Sequence, residues 1–182
     1  MKFVSIKEKE KKAFELMKKE FGYKNAMSAP HFVKVILSSG TGSALKKDPK
    51  RNELVRDRFA KITGQKSSAR VSKKSVAGFK LRENEEIGLI VTLRGKRMYG
   101  FLDKLINVAL PRTKDFRGIS RKAVDNIGNI TIGIKEHTIF PETADEELKD
   151  VFGMGITLVT TAKSASAATK FLEIIGVPFK KE

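Results

Sequence analysis

The sequence predicts an α+β fold: a largely antiparallel sheet of about five strands, with helices packed on one face and the other face open and basic. Three observations lead there. Segments with apolar residues at i, i+3 and i+4 alternate with segments of period two, the signatures of helix and strand. Each period-two segment has one aliphatic side and one side of Thr, Ser, Lys or Arg. The 182 residues carry 37 Lys and Arg against 21 Asp and Glu, a formal net charge of +16.

Residues 3–21 set Phe3, Ile6, Ala13, Phe14, Met17 and Phe21 among Lys and Glu, an amphipathic helix. Pro30 opens an extended, β-branched run from His31 to Ser38, which the turn Ser39-Gly40-Thr41-Gly42 ends. Asp48 and Pro49 read as N-cap and first residue of a second helix. Its buried stripe is Leu54, Val55, Phe59 and Ile62, and Gly64 stops it. Lys66–Ser72 and Ile87–Arg94 read as strands, with a basic loop over residues 73–86 between them. Met98, Phe101, Leu102, Leu105, Ile106 and Ala109 keep helical spacing up to Pro111. Residues 112–128 read as irregular, Asn129–Ile134 as a strand, and 141–150 as an acidic loop or short helix. Ile156–Ala162 is the last strand. Ser164 caps a final helix carrying Ala168, Phe171, Leu172 and Ile175, closed by Gly176. No repeat or linker interrupts the chain, so residues 1–182 are expected to form a single domain from which the basic loop protrudes.

Sorting each strand by parity separates its two sides. Leu89, Val91 and Leu93 oppose Ile90, Thr92 and Arg94. Ala69 and Val71 oppose Lys66, Ser68 and Arg70. Ile130, Ile132 and Ile134 oppose Asn129, Thr131 and Lys135. Val33, Val35 and Leu37 oppose Lys34, Ile36 and Ser38. Ile156 and Leu158 oppose Thr157, Thr161 and Lys163. The polar sides hold Lys34, Lys66, Arg70, Arg94, Lys135 and Lys163 and no carboxylate. A water-facing antiparallel sheet also alternates, but it usually mixes Glu with Lys. Residues 61–82, which include Lys66 and Arg70, hold seven cations and no anion. A polyanion is therefore the expected partner. Lys and Arg neutralise phosphates, while Thr, Ser and Asn reach ribose hydroxyls and base edges, which suits shape readout of structured RNA. In the loop Lys73-Lys74-Ser75-Val76-Ala77-Gly78-Phe79-Lys80-Leu81-Arg82 the cations are placed for RNA contact. Phe79 either stacks on a base or folds back onto the core with Leu81.

Other classes find less support. There is no cysteine, which excludes disulfides, thiolate metal ligands and thiol catalysis. His31 and His137 lie far apart and read as surface or packing residues. Ser39–Gly42 lacks the third glycine of a dinucleotide loop and the Gly-Lys-Ser/Thr of a P-loop, so an enzyme acting on RNA or nucleotide is the weaker alternative. Gly153-Met154-Gly155 is weaker still. A DNA-binding architectural protein is another alternative. Glu142, Asp145, Glu146, Glu147 and Asp150 lack the spacing of a calcium loop and read as a solvated turn or a patch meeting a basic protein. No catalytic residue, metal or cofactor is expected. No apolar run is long enough for a membrane span, and the charged N-terminal segment is unlike a signal peptide. The expectation is a soluble intracellular protein with no membrane partner.

Six strings occur in order: Gly64-Gln65-Lys66, Lys74–Arg82, Val91-Thr92-Leu93-Arg94-Gly95-Lys96-Arg97-Met98-Tyr99, Leu110-Pro111-Arg112-Thr113-Lys114-Asp115-Phe116-Arg117-Gly118, Ile139-Phe140-Pro141-Glu142 and Val159-Thr160-Thr161-Ala162-Lys163. Together they closely resemble the bacterial-type family of large-subunit ribosomal protein five, over almost the whole chain. The resemblance implies a structural protein without catalysis that binds 5S rRNA in the central protuberance of the cytoplasmic ribosome. It implies a loop reaching peptidyl-site tRNA and a bridge to a head protein of the small subunit. It further implies that Gln65, Thr92 and Arg94 face 5S rRNA, with Lys34 beside them. Lys66, Arg70, Thr161 and Lys163 join this set from the polar sides of their strands. Ser38 stands where the family usually has Asn, in a string that here reads Ser38-Ser39-Gly40-Thr41-Gly42; Ser is shorter and offers one donor. The tRNA-contacting loop corresponds to Lys73, Lys74, Ser75, Phe79, Lys80 and Arg82. Arg112 and Arg117 are the candidates for neighbouring large-subunit rRNA or the small subunit.

Overall fold

The computed structural model describes residues 4–45, 48, 50–114, 116–144 and 150–180. Among them are five helices: α1 (Ile6–Phe21), α2 (Gly42–Leu45), α3 (Arg51–Thr63), α4 (Gly95–Lys104) and α5 (Ala165–Ile175). Five strands, β1 (Phe32–Gly40), β2 (Ser68–Val71), β3 (Glu86–Leu93), β4 (Ile130–Ile134) and β5 (Met154–Thr160), form one antiparallel sheet in the order β2-β3-β1-β5-β4. The fold is α+β, as the periodicities predict. The chain divides into two compact units, and β1, β3, β4 and β5 each contribute residues to both.

The first unit comprises Met1–Val35, Leu93–Ile132 and Thr157–Glu182. Here α1 packs on α5 and α4. Its buried stripe is Ile6, Ala13 and Met17, at spacings that return to one face of a helix. Ser5 caps α1 by accepting the Glu8 N–H, and Asp103 Oδ1 on α4 accepts the Ile6 N–H at 2.9 Å. Phe32 and Phe171 meet at 5.1 Å with a tilt of 54°, a favoured aromatic geometry. Glu10 ties three elements: Oε1 accepts the Phe32 N–H at 3.1 Å and Oε2 the Tyr99 hydroxyl at 2.6 Å. Burial, reinforced by this carboxylate, raises the Tyr99 hydroxyl well above its ordinary range.

The second unit comprises Ile36–Thr92 and Gly133–Ile156. Its core gathers Leu37, Val55, Phe59, Ile62, Leu89, Val91, Phe140, Phe152 and Ile156. Phe152 meets Phe59 edge-on at 5.9 Å and stacks on the fully buried His137 at 4.2 Å. His137 Nδ1 accepts the Phe152 N–H at 3.3 Å. His137 is a packing residue. Glycine is required at Gly88, where a Cβ would lie 2.8 Å from the Ser39 carbonyl oxygen.

Several expected boundaries move. The first helix begins at Ile6, and Phe3 lies outside the described residues. In β1, Phe32 is buried and Val33 is 41% exposed, so strict alternation starts only at Val35. Phe32 is drawn in by Phe171 and Glu10, and Val33 is turned out. Ser39, expected in a turn, is a buried strand residue whose hydroxyl donates to the Gly153 carbonyl at 2.8 Å; Gly42 then opens the unanticipated short helix α2. In β2, Val71 is expected on the apolar side but is 47% exposed. The β2–β3 ladder shifts register between Arg70 and Val71, and such a bulge throws alternation out of phase. The second helix starts at Arg51, although Asp48 still accepts the Lys50 N–H at 3.0 Å; Pro49 lies outside the described residues. The third expected helix starts earlier, at Gly95, and widens into a π turn over Leu105–Ala109. Pro141–Thr143 is a short 3-10 turn, and Asp145, Glu146 and Glu147 lie outside the described residues.

Glu10 satisfies a backbone N–H and a phenol that Ala cannot. Glu10→Ala should lower stability by about 1–3 kcal/mol, read as an earlier midpoint of urea unfolding. An unchanged midpoint would show that water replaces the carboxylate without loss.

Candidate nucleic-acid interface

None of the residues that the sequence singles out for RNA is buried. In the second unit these are Ser38, Gln65, Lys66, Arg70, Thr92 and the loop residues. Gly64, with φ of +66°, ends α3 and turns the chain toward Gln65. The buried Thr63 hydroxyl accepts the Gln65 N–H at 3.2 Å and fixes that turn. Gln65 Nε2 donates to the Thr92 carbonyl at 3.2 Å. This bond orients the amide and leaves Oε1 as an acceptor beside half-buried Thr92. Across the β2–β3 ladder Ser68 stands opposite Ile90 and Arg70 opposite Gly88, so no side chain faces Arg70 across the pair. Ser38 is exposed and neighbours Gly155 of β5, where a Cβ would come within 3.4 Å of the Ser38 hydroxyl.

The basic loop is a built hairpin. At its base the Ser72 N–H donates to the Glu85 carbonyl at 2.8 Å and the Asn84 N–H to the Ser72 carbonyl at 3.0 Å. Val76 and Leu81 bond each other's carbonyls, closing the tip around a 3-10 turn at Ala77–Phe79. Lys80 (φ +50°) and Asn84 (φ +65°) adopt the left-handed conformation that tight turning requires. Ser75 accepts the Glu83 N–H at 3.0 Å, so its hydroxyl braces the loop. Leu81 is half-buried, but Phe79 is 74% exposed, so of the two expected positions Phe79 takes the outward one. Glu86, at the foot of the loop, is held from α3 by Asn52 Nδ2 at 2.7 Å and by Arg56 Nη2 at 2.8 Å.

In the first unit are Lys34, Arg94, Thr161, Lys163, Arg112 and Arg117. Arg94 is the extended N-cap residue of α4, and Gly95 with φ of +58° turns the chain into the helix. The Thr161 hydroxyl is tied to His31, accepting its N–H at 3.1 Å and lying 3.1 Å from its Nδ1. Thr161 thus orders the start of β1 as well as carrying a polar group at the end of β5. Arg117 precedes Gly118, where φ is +92° and a Cβ would lie 2.6 Å from the Lys180 backbone. That segment is tied to the C-terminal stretch by the Ile119 N–H to the Pro178 carbonyl at 2.8 Å. Thr131 and Thr157 are not among the site residues singled out from sequence; their hydroxyls lie 3.0 Å apart on the less buried sides of β4 and β5. Strand parity, which puts both on the polar side, is the signal that finds them.

The ion pairs separate from these residues. Ion pairs among the described residues include Arg51–Asp150, Arg56–Glu86, Arg58–Asp57, Lys61–Asp57, Arg121–Glu173 and Lys170–Glu20. The Lys61 hydrogen bond, ahead of the nearby Arg58, holds Asp57 below the usual carboxylate range. Lys34, Lys66, Arg70, Lys73, Lys74, Lys80, Arg82, Arg94, Arg112, Arg117 and Lys163 belong to no ion pair among the described residues. A cation with no carboxylate partner keeps its field for an external anion.

Known families match along the chain: Ribosomal protein L5 over residues 25–82, and the C-terminal region of the same ribosomal family over residues 86–179. The large ribosomal subunit protein uL5 of Heliobacterium modesticaldum is 48% identical over 166 residues, covering 91% of this chain and 92% of that protein. Its counterpart in Desulforamulus reducens is 51% identical over 166 residues, 91% of each chain. That of Mycoplasma mycoides is 47% identical over 178 residues, 98% of each. With matches that span nearly its whole length, the chain belongs to the ribosomal protein L5 family, a family of structural ribosomal proteins and not of enzymes.

Proposed function

We propose that this chain is a structural constituent of the large subunit of the cytoplasmic ribosome and binds 5S rRNA in the central protuberance. The polar sides of its strands supply the contact, through Lys34, Ser38, Gln65, Lys66, Arg70, Thr92, Arg94, Thr161 and Lys163. The observation that carries this reading is that its cations are exposed or half-buried and belong to no ion pair among the described residues. Folded RNA presents phosphates and 2′-hydroxyls at a shallow minor groove. Lys and Arg meet the former; the Thr and Ser hydroxyls and the Gln65 Oε1 meet the latter. Ser38 reaches less far than Asn would and contributes a single hydroxyl.

The hairpin of residues 72–85 exposes Lys73, Lys74, Lys80, Arg82 and Phe79. We assign it to the elbow of peptidyl-site tRNA, with Ser75 bracing the loop. Arg112 and Arg117 serve neighbouring large-subunit rRNA or the bridge to a small-subunit head protein.

Arg94→Ala should weaken 5S rRNA binding by about 1–3 kcal/mol in a filter-binding titration; an unchanged affinity would remove the strand-side model. The double substitution Lys73→Ala with Lys74→Ala should leave 5S affinity within about 1 kcal/mol and reduce peptidyl-site tRNA retention by reconstituted ribosomes. Equal loss of both activities would contradict the division of labour.

A further inference from the structure

The first unit holds a groove at the end of β5, where Thr161 and Lys163 meet an aromatic wall that the strand-side reading does not use. Its volume is about 280 Å³, and its lining includes Phe21, Tyr23, Pro30, Thr161, Lys163 and Ser164. The chain builds it simply. Helix α1 ends at Phe21, Gly22 with φ of +67° reverses the backbone, and Tyr23 returns beside Phe21. The two rings lie 6.0 Å apart and only 21° from parallel. On the other side the end of β5 leads through Thr161 and Lys163 to Ser164, the N-cap of α5. The Ser164 hydroxyl accepts the Ala167 N–H, and the Thr161 hydroxyl is tied to His31. Lys163 is exposed, has no ion-pair partner among the described residues, and no Asp or Glu lines the groove.

Aromatic walls beside a lone cation are complementary to one chemical unit above others: a flat, uncharged ring joined to an anion. A nucleotide is that unit. Base stacking on an aromatic side chain tolerates any base, because every base has a π-face. A protein partner would need a carboxylate next to an aromatic or aliphatic anchor, and the net charge of +16 favours a polyanion. We propose that this groove seats one unstacked nucleotide of the bound RNA, its base against the Tyr23 and Phe21 rings and its phosphate at Lys163. The inference rests on the RNA-binding reading and adds to it a second contact mode, stacking, that the strand sides lack.

The test uses the full chain and a 5S rRNA transcript. Tyr23→Leu should weaken binding by about 5- to 150-fold, the range for losing one stacked base, whereas Tyr23→Phe should retain affinity. Chemical probing should show protection lost at one nucleotide in Tyr23→Leu, with the rest of the footprint kept. Lys163→Gln should lower the slope of log affinity against log salt by about 1. In a measurement that needs no substitution, 4-thiouridine-substituted 5S rRNA irradiated with the wild-type chain should crosslink to the peptide containing Tyr23. Unchanged affinity and footprint for Tyr23→Leu, or crosslinks confined to other peptides, would overturn the groove and leave the strand-side reading standing. A wild-type chain that does not bind 5S rRNA would sink the RNA reading itself. A Tyr23 peptide that crosslinks only to a protein neighbour in assembled subunits would assign the groove to that protein instead.

Discussion

The structure depends on where its carboxylates are used. Glu10 takes the Phe32 N–H and the Tyr99 hydroxyl, Asp103 the Ile6 N–H, Asp48 the Lys50 N–H, Glu85 the Arg82 N–H, and Asp125 the Asn129 N–H. Glu86 is held by Asn52 and Arg56 of α3. These acids satisfy helix starts, strand ends and loop feet, positions where a backbone donor would otherwise lack an acceptor. With these acids bound to the scaffold, the cations of the strand sides and loop belong to no ion pair among the described residues. The net charge of +16 is thus a division of labour as much as a surplus: these acids, with the bases that pair to acids, hold the fold, and the strand-side and loop cations stay outside those pairs.

Much of this was legible in the residues. The alternation in β4 and β5 placed Ile130, Ile132, Ile134, Ile156 and Leu158 inside, because burial keeps a strict period of two along both strands. Ser164 and Gly176 marked the ends of α5, since capping chemistry is local and needs no tertiary partner. Alternation failed where tertiary contacts reach in. Phe32 is claimed by Phe171, which turns Val33 outward, and the register shift at Arg70 and Val71 puts Val71 in solvent. A bulge depends on the partner strand, so no pattern within β2 alone announces it. Ser39 read as turn chemistry, yet its hydroxyl found the Gly153 carbonyl, more than a hundred residues away. For the candidate interface, charge and parity identified the cations, because both are properties of single strands. They could not show that Gln65 is oriented by the Thr92 carbonyl, a neighbour distant in the chain, nor that Tyr23 returns beside Phe21, which the left-handed turn at Gly22 sets.

The basic loop is held in shape by local bonding. Its cations repel one another, and a floppy loop would relieve that repulsion by spreading. Bonds across its base, the Val76–Leu81 pair and the Ser75 brace hold it as a hairpin instead. Preorganisation of this kind lowers the ordering cost of binding, which is the physical reason for proposing the tRNA contact there. Its foot at Glu86 is fastened to α3, so the hairpin is carried by the second unit's helix as well as by its strands.

The most direct measurement of the central claim is the equilibrium affinity of the full chain for 5S rRNA as monovalent salt rises from about 50 to about 200 mM. If unpaired Lys and Arg neutralise roughly six to ten phosphates, log affinity should fall linearly with log salt, losing about three to five orders of magnitude over that range. An affinity that changes by less than about tenfold across it would mean that these cations do not face phosphate, and would contradict the account.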